Sequence, residues 1–281
     1  MPPSPPSAIR RVRGPALLAL AIVAVAAAGL ALWVGYLRSP AEPPPAPVAI
    51  APVPVAPAAP PAPVVKHPIE AVPVEPTPST EPLPPRARSD AALVAAAAAL
   101  AGADPLARFF FTDELVRRFV ITVDNLPRET LPMQLRVVKA TPGAFATTGA
   151  GSERAIAPDN ALRYAPFVGF VEGVDTRRLV AGYLRFYPLL QEEFRSIGFP
   201  DRQFNDRVVE AIDDLLAAPE RDGPVALVQP KVTYRYADPE LEALSAGRRI
   251  MLRIGTENAR RIKAKLREIR GLLAAPDAPG R

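Results

Sequence analysis

The chain has 281 residues, no cysteine, one histidine and a formal net charge of +5. Without cysteine there is no disulfide or thiol nucleophile, and His67 lies ahead of the globular part, which removes histidine-based triads and zinc sites from that part. The positive excess is not a nucleic-acid footprint: over residues 89–275, 22 Arg and 4 Lys meet 24 Asp and Glu, and no nucleic-acid motif is present.

Residues 14–37 (GPALLALAIVAVAAAGLALWVGYL) carry no charged side chain and follow Arg10, Arg11 and Arg13. A helix rises ~1.5 Å per residue and a bilayer core is ~30 Å thick, so this stretch predicts one transmembrane helix. Trp33 and Tyr36 suit the far interface, and the arginines before the span predict a cytoplasmic N-terminus (1–13) with the rest across the membrane. The stretch exceeds the 7–15 apolar residues of a cleaved signal peptide, the competing reading, for which Ala26, Ala27 and Ala28 offer a site. Residues 38–88 are dense in Pro, Ala and Val and predict a disordered linker. Polyproline II at ~3.1 Å per residue would give ~45 such residues a reach on the order of 140 Å.

A globular domain is expected over 89–275, followed by a disordered tail at 276–281. Ser89 can cap a helix over 90–100 that Gly102 ends. The spacing of Leu106, Phe110, Leu115, Phe119 and Val123 predicts helix up to Asn125, stopped by Leu126-Pro127. The 131–157 stretch reads as short and partly β. Helices are expected over 161–173, from Asp175 to near Gly198, and over 204–217. Extended segments are expected at 225–229 and 231–236, then helix from Pro239 with a break at Gly255, and a last helix over 257–273 capped by Thr256. The fold class is mainly α: a single helical domain with one or two small β-hairpins.

Several blocks together are distinctive: RRFVITVDNLPR (117–128), LPMQLRVVKATPGAF (131–145), YPLLQEEF (187–194), FNDRVVEAIDDLL (204–216), LVQPKVTYRYADPELEALSAG (227–247) and GTENARRIKAKLREIR (255–270). On these the chain resembles the bacterial domain-of-unknown-function family 3014 over roughly 108–272. The resemblance carries no catalytic or binding residue; it implies a proteobacterial protein in the inner membrane, facing the periplasm.

The sequence offers no Walker loop, G-x-G-x-x-G fingerprint or EF-hand loop, and no cofactor or metal is expected. Four groups are candidates for interaction. Asp124, Asn125 and Arg128 close a helix, where a turn-forming role is expected. Asn205, Asp206 and Arg207 open one, where capping plus a salt bridge is expected. Gln229, Lys231 and Tyr234, with Tyr164, Tyr183, Tyr187 and Tyr236, suggest a polar-aromatic groove against the commoner alternative of core tyrosines. Arg260 and Lys263, with Arg267 and Arg270, form a basic helix face, read as solvated in preference to a site for anionic lipid or wall polymer. The carboxylate pairs Glu172/Asp175, Glu192/Glu193 and Asp213/Asp214 are expected to make salt bridges. The function expected is a non-enzymatic, anchored envelope protein presenting its domain to another envelope protein or to peptidoglycan. The alternative is an anchored carboxylate-dependent hydrolase or lyase of wall glycan.

Overall fold

The computed structural model describes residues 64–76 and 82–274. The span expected at 14–37, the linker up to residue 63 and the tail from 276 lie outside the described residues. The described domain is mainly helical with two small antiparallel strand pairs. In chain order it holds α1 (Ser89–Ala101), α2 (Ala103–Phe109), α3 (Leu115–Asn125), β1 (Thr147–Thr148), β2 (Ala155–Ile156), α4 (Ala165–Gly173), α5 (Thr176–Ser196), α6 (Phe204–Leu216), β3 (Leu227–Val228), β4 (Arg235–Tyr236), α7 (Pro239–Glu242), α8 (Ala246–Arg253) and α9 (Thr256–Leu273). Among the described residues no single helix is long and apolar enough to cross a membrane; α1 and α2 pass together, but are bent by 114°.

The core follows from three-and-four spacing of apolar residues. Val116, Val120 and Val123 of α3 meet Tyr187, Leu190 and Phe194 of α5, and Phe204, Val208 and Ile212 of α6. Val120, Phe194 and Phe204 are wholly inaccessible to solvent. The stripe of α9 (Leu266, Ile269) covers this cluster, and Leu273 completes it. Asp175 caps α5, its carboxylate accepting the Arg178 N–H at 2.7 Å.

The strand pairs are minimal. Thr147 lies opposite Ile156, and Leu227 opposite Tyr236. A bridge between Ala155 and Ala226 joins the two ribbons, with Leu227 N–H donating to the Arg154 carbonyl at 2.7 Å. Leu227 and Tyr236 point inward onto Leu241 and Leu252, forming a separate small core.

Three expectations are corrected. The helix read continuously through Leu106 to Asn125 is two helices: Phe110 leaves α2 in extended conformation and bridges Val138, and the Phe111 N–H donates to Val137 at 2.9 Å. Phe110 and Phe111 favour extended backbone once a partner segment is available, which overrides the helical spacing. Thr256 does not cap α9; its hydroxyl donates to the Arg221 carbonyl at 2.7 Å. Finally, residues 64–76, read as linker from their prolines, lie on the domain. Ile69, Val72 and Val74 pack against the main core, and the main chain around His67 is hydrogen-bonded to α6.

Gly255 enters α9 at φ 86° and ψ 151°, a region open essentially only to glycine, and a Cβ there would meet that of Ala161 at 2.9 Å. Gly255→Ala is expected to cost about 1–3 kcal/mol, read as a lowered midpoint in chemical denaturation with an unchanged slope.

Candidate functional site

The first turn of α6 organises the site. Successive residues of a helix are rotated by about 100°, so Phe204, Asn205, Asp206 and Arg207 face four different surroundings. No α6 residue caps this turn; its free N–H groups are met from α5, Phe204 N–H by Gln191 Oε1 at 2.8 Å and Asn205 N–H by the Tyr187 hydroxyl at 3.5 Å.

Arg207 turns toward α3. Its Nε donates to Asp124 Oδ1 at 3.1 Å, its second terminal nitrogen reaches the Asp124 carbonyl, and the other pairs with Glu210 at 2.7 Å. Both side chains of the Asp124–Arg207 pair are 7% exposed. Arg128 closes the other side of the carboxylate at 2.9 Å. The two motifs that looked independent in sequence are thus joined into one buried ion pair that pins α3 to α6. Asn125 stays local, its amide donating to the Ile121 carbonyl at 2.8 Å, as a helix-ending residue does.

Asn205 is fully buried. Its carbonyl oxygen accepts the Tyr183 hydroxyl at 3.2 Å, and its amide nitrogen donates to the carbonyls of His67 at 2.9 Å and Leu273 at 3.2 Å. One side chain therefore ties together α5, α6, the end of α9 and the 64–76 segment. Tyr187 donates to Gln191 at 2.9 Å and sits edge-on to Tyr183 with ring centres 5.7 Å apart. Burial pushes the Tyr183 hydroxyl well above its ordinary pKa, reinforced by Tyr187 and the Asp206 carboxylate; burial likewise raises Tyr187, and pushes Tyr236 up to about 12. A phenol whose folded pKa exceeds its unfolded value of 10.0 contributes stability that is intact below pH 10 and is lost as pH climbs toward the folded value. Absorbance titration should therefore show Tyr183, Tyr187 and Tyr236 ionising only above pH 10 and together with unfolding. Phenylalanine at Tyr236 should remove its share of that late step.

Asp206 faces outward and accepts two main-chain donors from the N-terminal segment, His67 N–H at 2.7 Å and Lys66 N–H at 3.2 Å. Beside it opens a cleft of about 460 Å³ between that segment and α6, lined in part by Asp201, Asp206, Glu210 and Asp213 with Lys66 and Arg202. Three of these carboxylates are engaged: Asp206 by main chain, Glu210 by Arg207 and Arg202 (3.6 Å), and Asp213 by Arg270. Among the described residues no three His, Asp or Glu side chains are grouped to hold a metal ion.

The tyrosines follow the commoner of the two readings, core packing, and do not line one groove. Tyr183 and Tyr187 lie in the α5–α6 core, Tyr164 packs beside Ala218 and Met251, and Tyr234 and Tyr236 belong to the small core under the β3–β4 hairpin. Tyr234 accepts a hydrogen bond from Arg154 at 2.8 Å and lies 5.8 Å from Phe145 between ring centres. Gln229 bonds back to the Val232 carbonyl at 3.2 Å within the hairpin tip, where Lys231 and Val232 are exposed. On α9 the solvated reading holds for Arg260 and Arg267, which are exposed, and is corrected for Lys263. Lys263 is 4% exposed and donates to the Ala218 carbonyl at 2.6 Å and to Glu220 at 3.1 Å. Arg260 pairs with Glu220 at 2.9 Å, and Arg261 pairs with Glu172. These cations staple α9 to the 217–222 turn and to α4.

One participant lies outside the candidates read from the sequence: His67 falls in the stretch read as linker, where Lys66-His67 is a short polar step inside a Pro/Ala/Val-rich run. Glu193 makes the salt bridge expected of its pair, to Arg86 at 3.2 Å, but it does so while buried, whereas Glu192 is exposed. The 3.6-residue period does separate the two, placing Glu193 on the Phe186–Leu190 stripe.

Residues 115–270 match the family model described as "Protein of unknown function (DUF3014)". No curated protein and no solved structure matches the chain. The match spans α3 to α9, and so includes Asp124, Asn205, Asp206 and Arg207 but not the 64–76 segment.

Proposed function

This chain belongs to the DUF3014 family, and we propose for it a non-enzymatic role: a single-pass inner-membrane protein that presents its helical domain in the periplasm to another envelope protein or to peptidoglycan. The observation that carries this reading is the order of segments in the sequence. An uncharged stretch at 14–37 follows three arginines, then comes a proline-dense spacer, then the domain. The fate of the polar groups supports a binding rather than a chemical role: Asp124, Glu172, Asp213 and Glu220, which a hydrolase would need free, are paired with arginines. The hairpin tip at Lys231 and Val232 is exposed and so open to a partner. A photo-crosslinking residue at Tyr234 or Arg260, activated in growing cells, is expected to give a discrete adduct with an envelope protein or wall polymer. Adducts of the chain with itself alone would contradict this role.

One observation favours the alternative, an anchored hydrolase or lyase acting on wall glycan: four carboxylates line the cleft beside α6. Purified folded chain would then release soluble fragments from cell wall, and Asp206→Asn would abolish the release. Absence of release removes that alternative and leaves the binding role standing.

A further inference from the structure

The 64–76 segment is held on the domain by main-chain hydrogen bonds to α6 and by partly buried apolar side chains. It pairs with no strand and contains only one short 3-10 turn, Ile69–Ala71. Among the described residues its main-chain grip includes three hydrogen bonds to two adjacent side chains of α6. Asp206 accepts from Lys66 and His67, and Asn205 donates to the His67 carbonyl. Its apolar grip is three side chains, Ile69, Val72 and Val74, each only partly buried against the core. Side chains that clasp successive main-chain groups of an extended strand, beside shallow seats for spaced apolar residues, recognise peptides with little regard for most of their sequence. Asn205 also retains bonds to Leu273 and Tyr183 that do not involve the segment, and Asp206 is open to the cleft beyond it. The residues that grip the segment are therefore also held by α5 and α9.

We propose that the α5–α6–α9 face is a binding site for an extended peptide, and that residues 64–74 occupy it as a detachable, self-bound ligand. The peptide it takes offers two consecutive main-chain donors, then a proline, then apolar side chains spaced as Ile69, Val72 and Val74 are. In the closed state the chain's own segment holds the site; when the segment leaves, a peptide of this pattern from a partner protein takes the same three main-chain bonds. Self-occupancy lowers the apparent affinity for a second peptide by the fraction of time the site is open. A pull on the chain N-terminal to the segment favours that open state. This inference goes beyond the anchored role and is tested on purified protein, so its failure leaves that role untouched.

Hydrogen exchange on the intact chain is the first test. The Lys66 and His67 amides are expected to exchange at least about tenfold faster than the Val209 amide of α6, because the segment opens without global unfolding. Equal rates would overturn the proposal. The second test replaces residues 64–74 by a Gly/Ser stretch of equal length and adds a labelled peptide copying residues 64–75. The peptide is expected to bind the replaced chain, to bind the intact chain at least about tenfold more weakly, and to lose binding when Asp206→Ala is added. No binding to a replaced chain that keeps its helical signal, equal binding to both chains, or failure of the replaced chain to fold would each overturn it.

Discussion

Asp124→Ala is expected to lower the free energy of unfolding by about 3–5 kcal/mol, because it leaves the Arg207 guanidinium buried without its main counter-charge. Both side chains are 7% exposed, so water cannot take the place of the lost carboxylate. Glu210 still pairs with Arg207, but it is half exposed, and the Asp124 main-chain carbonyl remains as the second acceptor. For a domain of this size the loss corresponds to a fall in melting temperature of roughly 6–20 °C. Asp124→Ala combined with Arg207→Leu should recover part of it, since the stranded charge disappears. A single variant within about 1 kcal/mol of the parent would show that the pair is not what fastens α3 to α6.

Phe204→Ala is expected to cost a similar amount, about 3–5 kcal/mol. Phe204 is wholly buried where three helices meet, 5.3 Å from Phe194 and 6.1 Å from Phe119 between ring centres. Its own N–H is bound by Gln191, so the backbone at this position is fixed and can collapse only partly into the space left behind. The measurement is equilibrium denaturation. Because Asn205 and Asp206 follow immediately, the same variant should also loosen the 64–76 segment, visible as faster exchange of the His67 amide. Phe204→Leu, which retains most of the volume, is expected to lose less than half as much, at about 1–2 kcal/mol.

The helices were legible because their apolar residues recur at three and four positions, and this held for α5, α6 and α9, and for the end of α3, without knowledge of contacts. Where local pattern and tertiary partner disagreed, the partner prevailed. Phe110 has the spacing of a helical residue and still leaves the helix, because Val138 offers it a bridge. The site was legible as residues but not as an arrangement. Asp124 and Arg207 are 83 positions apart, and nothing local to either one announces the other. Asn205 and Asp206 fit a capping expectation, yet they clasp a segment about 140 positions away. Prolines at 68 and 73 hid that segment: proline disfavours helix interiors and strand pairing, but it does not prevent a chain from lying on a surface and partly burying its valines. Lys263 shows the converse, since a lysine on an otherwise charged face is buried when its tip can reach a carbonyl and a carboxylate beyond the apolar stem.

The placement of the domain across a membrane is what the proposed role depends on most, and the absence of cysteine makes it directly measurable. A single cysteine at Val232, the 88% exposed tip of the β3–β4 hairpin, and another in a separate variant at Ser4 can be offered a membrane-impermeant maleimide in cells with an intact inner membrane. Val232→Cys is expected to be labelled in those cells, and Ser4→Cys only after the inner membrane is opened. Labelling of Ser4→Cys with protection of Val232→Cys, or recovery of the chain in the soluble fraction, would contradict the account.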